Sequence, residues 1–321
     1  MIIDVHAHFT TAPPPEERSA SALAASLEPV IRQMDERAID VLFFSPRAAG
    51  MAHDAGDEAR SRAWTAFSND RIARACSTHP DRLMPVCQLP QSPGAPPERQ
   101  IPELERCAGL GFVGCIVNPD VSGGLQPFTP PLGDRSWYPL WERLVELEMP
   151  AMIHASTTNN PAMQLHGAHY IAQDQAAVVE LALSSVFDDF PTLTLIIPHG
   201  GGAMPFQFGR QRALHVLKGA PPFEQVLRRM YFDTAVYDQE AMTLLVERVG
   251  PDNLLFGSEM FGTAKSTDPA TGRPFDDIVP LLRSVPGLPD SSRAMIFAGN
   301  ARRLFPRAAA AVDGTRPAVQ Q

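Results

Sequence analysis

Cysteine is scarce, with four in 321 residues, and no two stand at the Cys-x-x-Cys spacing of a thiolate metal site. Cys76, Cys87, Cys107 and Cys115 are therefore expected as reduced thiols of a cytoplasmic protein. Long apolar runs are missing too. No stretch reaches the ~18 consecutive apolar residues of a membrane span, and the opening Met-Ile-Ile-Asp-Val-His lacks the n- and h-regions of a signal peptide. Positive charge is in deficit: Lys and Arg number 27 against 36 Asp and Glu, a formal net charge of −9. That argues against nucleic acid as the main partner, because phosphate binding needs a basic face. It also means that an anionic substrate must be met by cations gathered locally. No Gly-x-Gly-x-x-Gly follows the first apolar run, which argues against a dinucleotide fold.

What is present is alternation. Short β-type runs are expected at Ile2–Phe9, Val41–Ser45, Leu83–Leu89, Phe112–Asn118, Ala151–Ala155, Leu193–Pro198, Met230–Ala235 and Leu254–Ser258. Between them, helical composition predicts helices over Ala20–Arg37, Asp57–Thr78, Arg99–Ala108, Asp134–Glu148, Asp174–Phe187, Pro205–Lys218 and Gln239–Val249. Sequential βα units require a parallel sheet, either open and doubly wound or closed as a barrel. The candidate chemistry lies at strand C-terminal ends, where a barrel places its active site. The expectation is an α/β fold, a (β/α)8 TIM-type barrel in a single domain over residues 1–307, with a flexible tail over 308–321. The 32 prolines read as loop punctuation.

Four strand ends carry ligand-type residues. The first holds His6-Ala-His8; alternation along a strand puts both rings on one face, into the barrel, with Val5 and Ala7 on the other. The fifth ends in His154, within Pro150-Ala-Met-Ile-His-Ala-Ser156. The sixth leads into His199-Gly-Gly-Gly202, where the glycines permit close backbone approach and leave N–H groups for an anion at the next helix. The eighth closes on Glu259, an acid that is costly after an apolar strand unless paired, ligated or solvated. Taken singly, each has an ordinary structural explanation. Together, His6, His8, His154 and Glu259 make a donor set for one divalent cation, zinc first and manganese as the alternative.

These motifs resemble the amidohydrolase superfamily, in its branch related to aminocarboxymuconate-semialdehyde decarboxylase. The fourth strand, Gly114-Cys-Ile-Val-Asn-Pro119, offers no lysine to be carboxylated as a bridge between two metals, which supports a mononuclear site. Within the branch, several segments look like the 4-oxalomesaconate hydratases of aromatic-acid breakdown. They are Thr10-Thr-Ala-Pro13, Phe44-Ser-Pro-Arg-Ala48, Leu89-Pro-Gln-Ser-Pro93, Asn118-Pro-Asp120, Gly167-Ala-His-Tyr170, Pro198-His-Gly-Gly-Gly202, Phe256-Gly-Ser-Glu-Met260 and Gly299-Asn-Ala-Arg-Arg303. Glu259 is the most telling, since the decarboxylases usually carry Asp there. In the hydratases the loop after the fifth-strand histidine can hold a cysteine; here it reads Ser156-Thr-Thr-Asn-Asn160 and has none.

The resemblance implies water addition to an unsaturated keto polycarboxylic acid such as 4-oxalomesaconate, with His199 and Glu259 as catalytic groups. A non-oxidative decarboxylase of an aromatic or muconate-type acid and a metal-dependent hydrolase remain alternatives. Carboxylates in the substrate call for cations and hydrogen-bond donors, and Arg47, Arg210, Lys265, Asn118 and Tyr170 are the candidates. Related enzymes also imply a homo-oligomer.

Overall fold

In the computed structural model, which describes residues 1–11, 20–164 and 167–312, eight strands follow one another round a single sheet in chain order. They are β1 (Ile3–Phe9), β2 (Val41–Pro46), β3 (Leu83–Gln88), β4 (Gly114–Val117), β5 (Ala151–Ile153), β6 (Leu195–Ile197), β7 (Tyr231–Asp233) and β8 (Leu254–Leu255). Each is parallel to the next. The sheet closes because Val5 N–H donates to Phe256 O at 2.9 Å and Ala7 forms a parallel bridge with Met260. This is the expected barrel. Its ladders are shorter than the apolar runs, because β5 to β8 pair over only two or three residues before the chain turns into the loops that build the site.

The intervening helices are α1 (Ala20–Glu36), α2 (Glu58–Thr78), α3 (Ile101–Gly109), α4 (Tyr138–Glu146), α5 (Ala168–Ala182), α6 (Phe208–Lys218) and α7 (Gln239–Val249). Asp57 starts α2 by accepting the Arg60 N–H on its side chain, and Asp238 caps α7 through Ala241 N–H in the same way. α5 differs from expectation. It begins at Gly167, whose left-handed φ of 73° turns the chain into the helix, and it ends at Ala182. Val186–Asp189 is a separate turn, so the helix expected to run to Phe187 stops earlier.

Two apolar layers hold the barrel. Leu42, Phe44, Cys87, Cys115 and Ile197 face outward onto the helices. Ile3, Val5, Val41, Phe43, Met84, Val86, Ile116, Met152, Ile196 and Leu255 fill the interior. Strand alternation alone would put Val5 opposite His6. Instead a register shift between Asp4 and Ala7 turns both inward, and Val5 and His6 line the same small interior cavity. The bulge lets β1 contribute packing below and imidazole above.

Phe305 closes the bottom of the barrel, its ring edge-on to Phe43 at 4.7 Å. Gly114 is needed there, since a Cβ would stand 3.0 Å from the Phe305 ring. The last helix runs Pro306–Val312, across the expected tail boundary, and Ala308 packs into the interior cluster. The rest of that tail, from residue 313, lies outside the described residues, as do Ala12 and Pro13. All four cysteines are free and buried. Among the described residues no helix is long and apolar enough to cross a membrane.

Candidate metal centre

At the C-terminal ends of the strands, one ligand atom each from His6, His8, His154 and Glu259 lie within 4.8 Å of one another, and all four residues are buried. The hydrogen bonds behind the rings fix which nitrogen faces inward. His6 Nδ1 donates to Asp233 Oδ2 at 2.6 Å. Ser45 Oγ spends its proton on Ala7 O, so it accepts from His8 Nδ1 at 3.1 Å. His154 Nδ1 donates to Ala155 O at 2.7 Å. Each ring therefore presents a bare Nε2. His6 and His8 bring those atoms 3.1 Å apart, and His154 Nε2 is buried with no hydrogen-bond partner among the described residues. Converging lone pairs repel unless a cation lies between them. Two nitrogens at zinc-bond length from one tetrahedral ion stand about 3.3 Å apart, so the donors fit a divalent ion.

Electrostatics agree. Burial, reinforced by the neighbouring His6, pushes His8 down to about 3. Burial and the adjacent imidazoles hold His154 well below the usual histidine range. Neutral rings are the ligating form. Burial opposes ionisation of Glu259, yet its neighbours His199, His6 and His8 outweigh that and hold the carboxyl well below its usual range.

A second tier orients this set. Asp4 Oδ2 accepts from Ser258 Oγ at 2.5 Å and Asp4 Oδ1 from Ser258 N–H at 3.0 Å, tying β1 to the residue before Glu259. Gly257 is required where His6 and Asp233 meet, because a Cβ there would lie 2.9 Å from Asp233 Cβ and 3.0 Å from His6 Cβ. Tyr237 donates its hydroxyl to Glu259 Oε2 at 2.5 Å.

His199 stands beside the cluster, its ring 5.4 Å from His6 and 5.2 Å from His154. Nδ1 is 2.8 Å from Asp174 Oδ2, and Nε2 faces Glu259 Oε1 at 3.7 Å. Burial disfavours the imidazolium, but the Asp174 and Glu259 carboxylates outweigh it and raise His199 well above its usual value. His199 and Glu259 both take left-handed backbone, at φ 50° and 54°. Such residues cost about 1–3 kcal/mol each and persist where surrounding structure enforces them.

The triple glycine does not form the expected anion nest. Gly200 N–H turns to Asp233 Oδ1, Gly201 N–H to Pro198 O and Gly202 N–H to His199 O. The glycines serve packing instead: a Cβ on Gly201 would stand 2.8 Å from the Phe232 ring, and one on Gly202 2.4 Å from Ile171 O.

Of the expected substrate contacts, Tyr170 borders the cluster, its ring 5.9 Å from His154. Arg47 follows β2 as an exposed cation with no ion-pair partner among the described residues, and its charge reaches His8. Asn118 is buried and its amide is committed: Oδ1 accepts from Asp120 and Ser156 N–H, and Nδ2 lies 3.3 Å from His53 Nδ1. It is a strut between loops. Arg210 and Lys265 are exposed and make no hydrogen bond or ion pair with the cluster among the described residues. Asp4, Ser45, Asp174, Asp233 and Tyr237 escaped sequence reasoning. Only Asp233, an acid closing an apolar run as Glu259 does, left a readable signal.

The amidohydrolase family model matches residues 3–307. A 2-keto-4-carboxy-3-hexenedioate hydratase of Sphingobium sp. (strain NBRC 103272 / SYK-6) is 42% identical, with 96% of both chains covered. A gamma-resorcylate decarboxylase of Rhizobium sp. (strain MTP-10005) is 26% identical over 86% of this chain and 85% of its own. Among solved structures, a 4-oxalomesaconate hydratase from Rhodopseudomonas palustris superimposes with a TM-score of 0.88 at 40% identity, covering 98% of each chain.

Proposed function

The chain belongs to the amidohydrolase family, and on that premise we propose that it is a hydro-lyase. It adds water to the double bond of 4-oxalomesaconate or a similar unsaturated keto polycarboxylic acid. The observation that carries this reading is 42% identity to a hydratase across 96% of both chains, joined to a buried three-imidazole, one-carboxylate donor set.

His6, His8, His154 and Glu259 would hold one divalent ion. Three nitrogens and an oxygen suit zinc, and manganese is the alternative. When bound, the ion supplies Lewis acidity, making water nucleophilic near neutral pH and polarising a substrate carbonyl. Glu259 is placed to accept a proton from the attacking water through the carboxylate oxygen that does not bind the ion. His199, braced by Asp174 on Nδ1, carries a proton on Nε2 on the same side of the site. It is the group that protonates carbon, which explains how the chemistry proceeds without a cysteine after His154. Arg47 pairs with a substrate carboxylate through its fork, and Tyr170 donates from the rim. The four buried thiols support a reducing, cytoplasmic setting. A homo-oligomer is supported by the apolar side chains of Phe206, Val216 and Leu217, at or beside α6, each about 80% exposed.

The test is to incubate metal-analysed protein with 4-oxalomesaconate, following loss of the conjugated chromophore and the product mass. A product heavier by one water is expected. No reaction with the metal still bound would sink the hydratase reading, and carbon dioxide release from an aromatic or muconate acid would replace it with the decarboxylase alternative.

A further inference from the structure

The two carboxylate oxygens of Glu259 are not equivalent. Oε2 accepts the Tyr237 hydroxyl at 2.5 Å. Oε1 faces His199 Nε2 at 3.7 Å, beyond hydrogen-bond range, and accepts no hydrogen bond among the described residues. Swinging the carboxylate so that both oxygens met one ion is opposed on two sides. Tyr237 holds Oε2, and Gly262 backs the group so closely that a Cβ there would lie 2.5 Å from Glu259 Cδ. The backbone adds to the restraint, with Glu259 at φ 54° and its carbonyl accepting Gly262 N–H at 2.8 Å.

We propose that Tyr237 is a positioning residue that fixes Glu259 as a one-oxygen ligand and so keeps a coordination position open for water or substrate. The inference rests on the metal-site reading above. Its chemical logic is that a catalytic site needs a vacant position, and a carboxylate gripping with both oxygens fills it. A phenol is well suited to this role. It is a neutral donor, it reaches from the loop after β7, and it cannot itself carry the carboxylate away as a flexible cation would.

The test substitutes Co²⁺ for the native ion in the wild type and in Tyr237→Phe, which removes one oxygen atom, and reads the visible absorption. An open position takes up an added anion such as azide and the cobalt band changes, whereas a position filled by the second carboxylate oxygen does not respond. The variant is expected to keep one metal per chain while its band stops responding to azide. In the native-metal form its kcat should fall about 10- to 100-fold with KM nearly unchanged. A variant that responds to azide as the wild type does, with unchanged kcat, overturns the proposal. X-ray absorption on the wild-type holoenzyme tests it without any variant: one carboxylate oxygen beside three imidazoles is expected, and two carboxylate oxygens overturn it. A wild type that binds no cobalt removes the metal site itself and the clamp with it, an outcome distinct from cobalt bound with both oxygens.

Discussion

Asp233 stands directly behind His6, its Oδ2 2.6 Å from Nδ1, and both side chains are almost wholly buried. The pair sets the tautomer that leaves His6 Nε2 bare. Asp233→Asn keeps the shape but weakens that hold. Metal affinity or turnover is expected to fall about 10- to 100-fold. Metal content after dialysis against a graded chelator series, with turnover measured alongside, checks this; full retention of both would remove Asp233 from the site.

His199 and its brace separate metal holding from proton transfer. His199→Asn should leave about one metal per chain and lower kcat about 10²- to 10⁴-fold. Asp174→Asn should do the same to a smaller degree, because the ring remains. Metal analysis beside steady-state kinetics decides the matter. Loss of the ion from His199→Asn would make that histidine a ligand instead.

Arg47 is the exposed cation whose charge reaches His8. Arg47→Met should raise KM by at least about tenfold, and Arg47→Lys should recover only part of it, because a lysine cannot offer two parallel N–H donors. An unchanged KM in Arg47→Met would shift the carboxylate contact elsewhere.

Gly202 has φ 65°, and a Cβ there would meet Ile171 O at 2.4 Å. Gly202→Ala must therefore push α5 away from the turn that carries His199. A loss of about 2–4 kcal/mol in unfolding free energy is expected, read by urea denaturation. A loss below about 0.5 kcal/mol would mean that the contact relaxes freely.

His53 is buried, and desolvation pushes it down to about 4. Its unfolded value is near 6.5, so between pH 6.5 and 4 the unfolded chain binds the extra proton. Stability should therefore fall as pH drops through that window, by about 3 kcal/mol from this group. His53→Gln should flatten the profile relative to the wild type; parallel profiles would mean that His53 is already accessible to protons in the fold.

The donor set was legible in the sequence because it follows a local rule: His6, His8, His154 and Glu259 each end or follow an apolar run, and parallel strands deliver such ends to one face. The residues that orient them obey no local rule. Asp174 sits inside a helix and Tyr237 in a loop, and only the closed barrel brings them to His199 and Glu259. Val5 departs from strand alternation for a related reason. Period-two alternation cannot register a bulge, and the bulge in β1 changes which side Val5 shares with His6. Of the two roles the sequence allows the glycines after His199, the structure uses the close backbone approach, since their missing side chains make room for Phe232 and Ile171.

The seal at the bottom of the barrel has a consequence for biosynthesis. β1 is made first, yet its closing partner near Phe256 and the Phe305 ring that covers the interior are made near the end. Until then Ile3, Val5 and Phe43 have no lid, and the growing chain exposes both a strand edge and an apolar mouth. Such late, long-range closure slows folding and lengthens the interval in which nascent chains can pair with one another. The yield of native enzyme in a cell should therefore depend more on translation rate and chaperone supply than on the strength of the finished core.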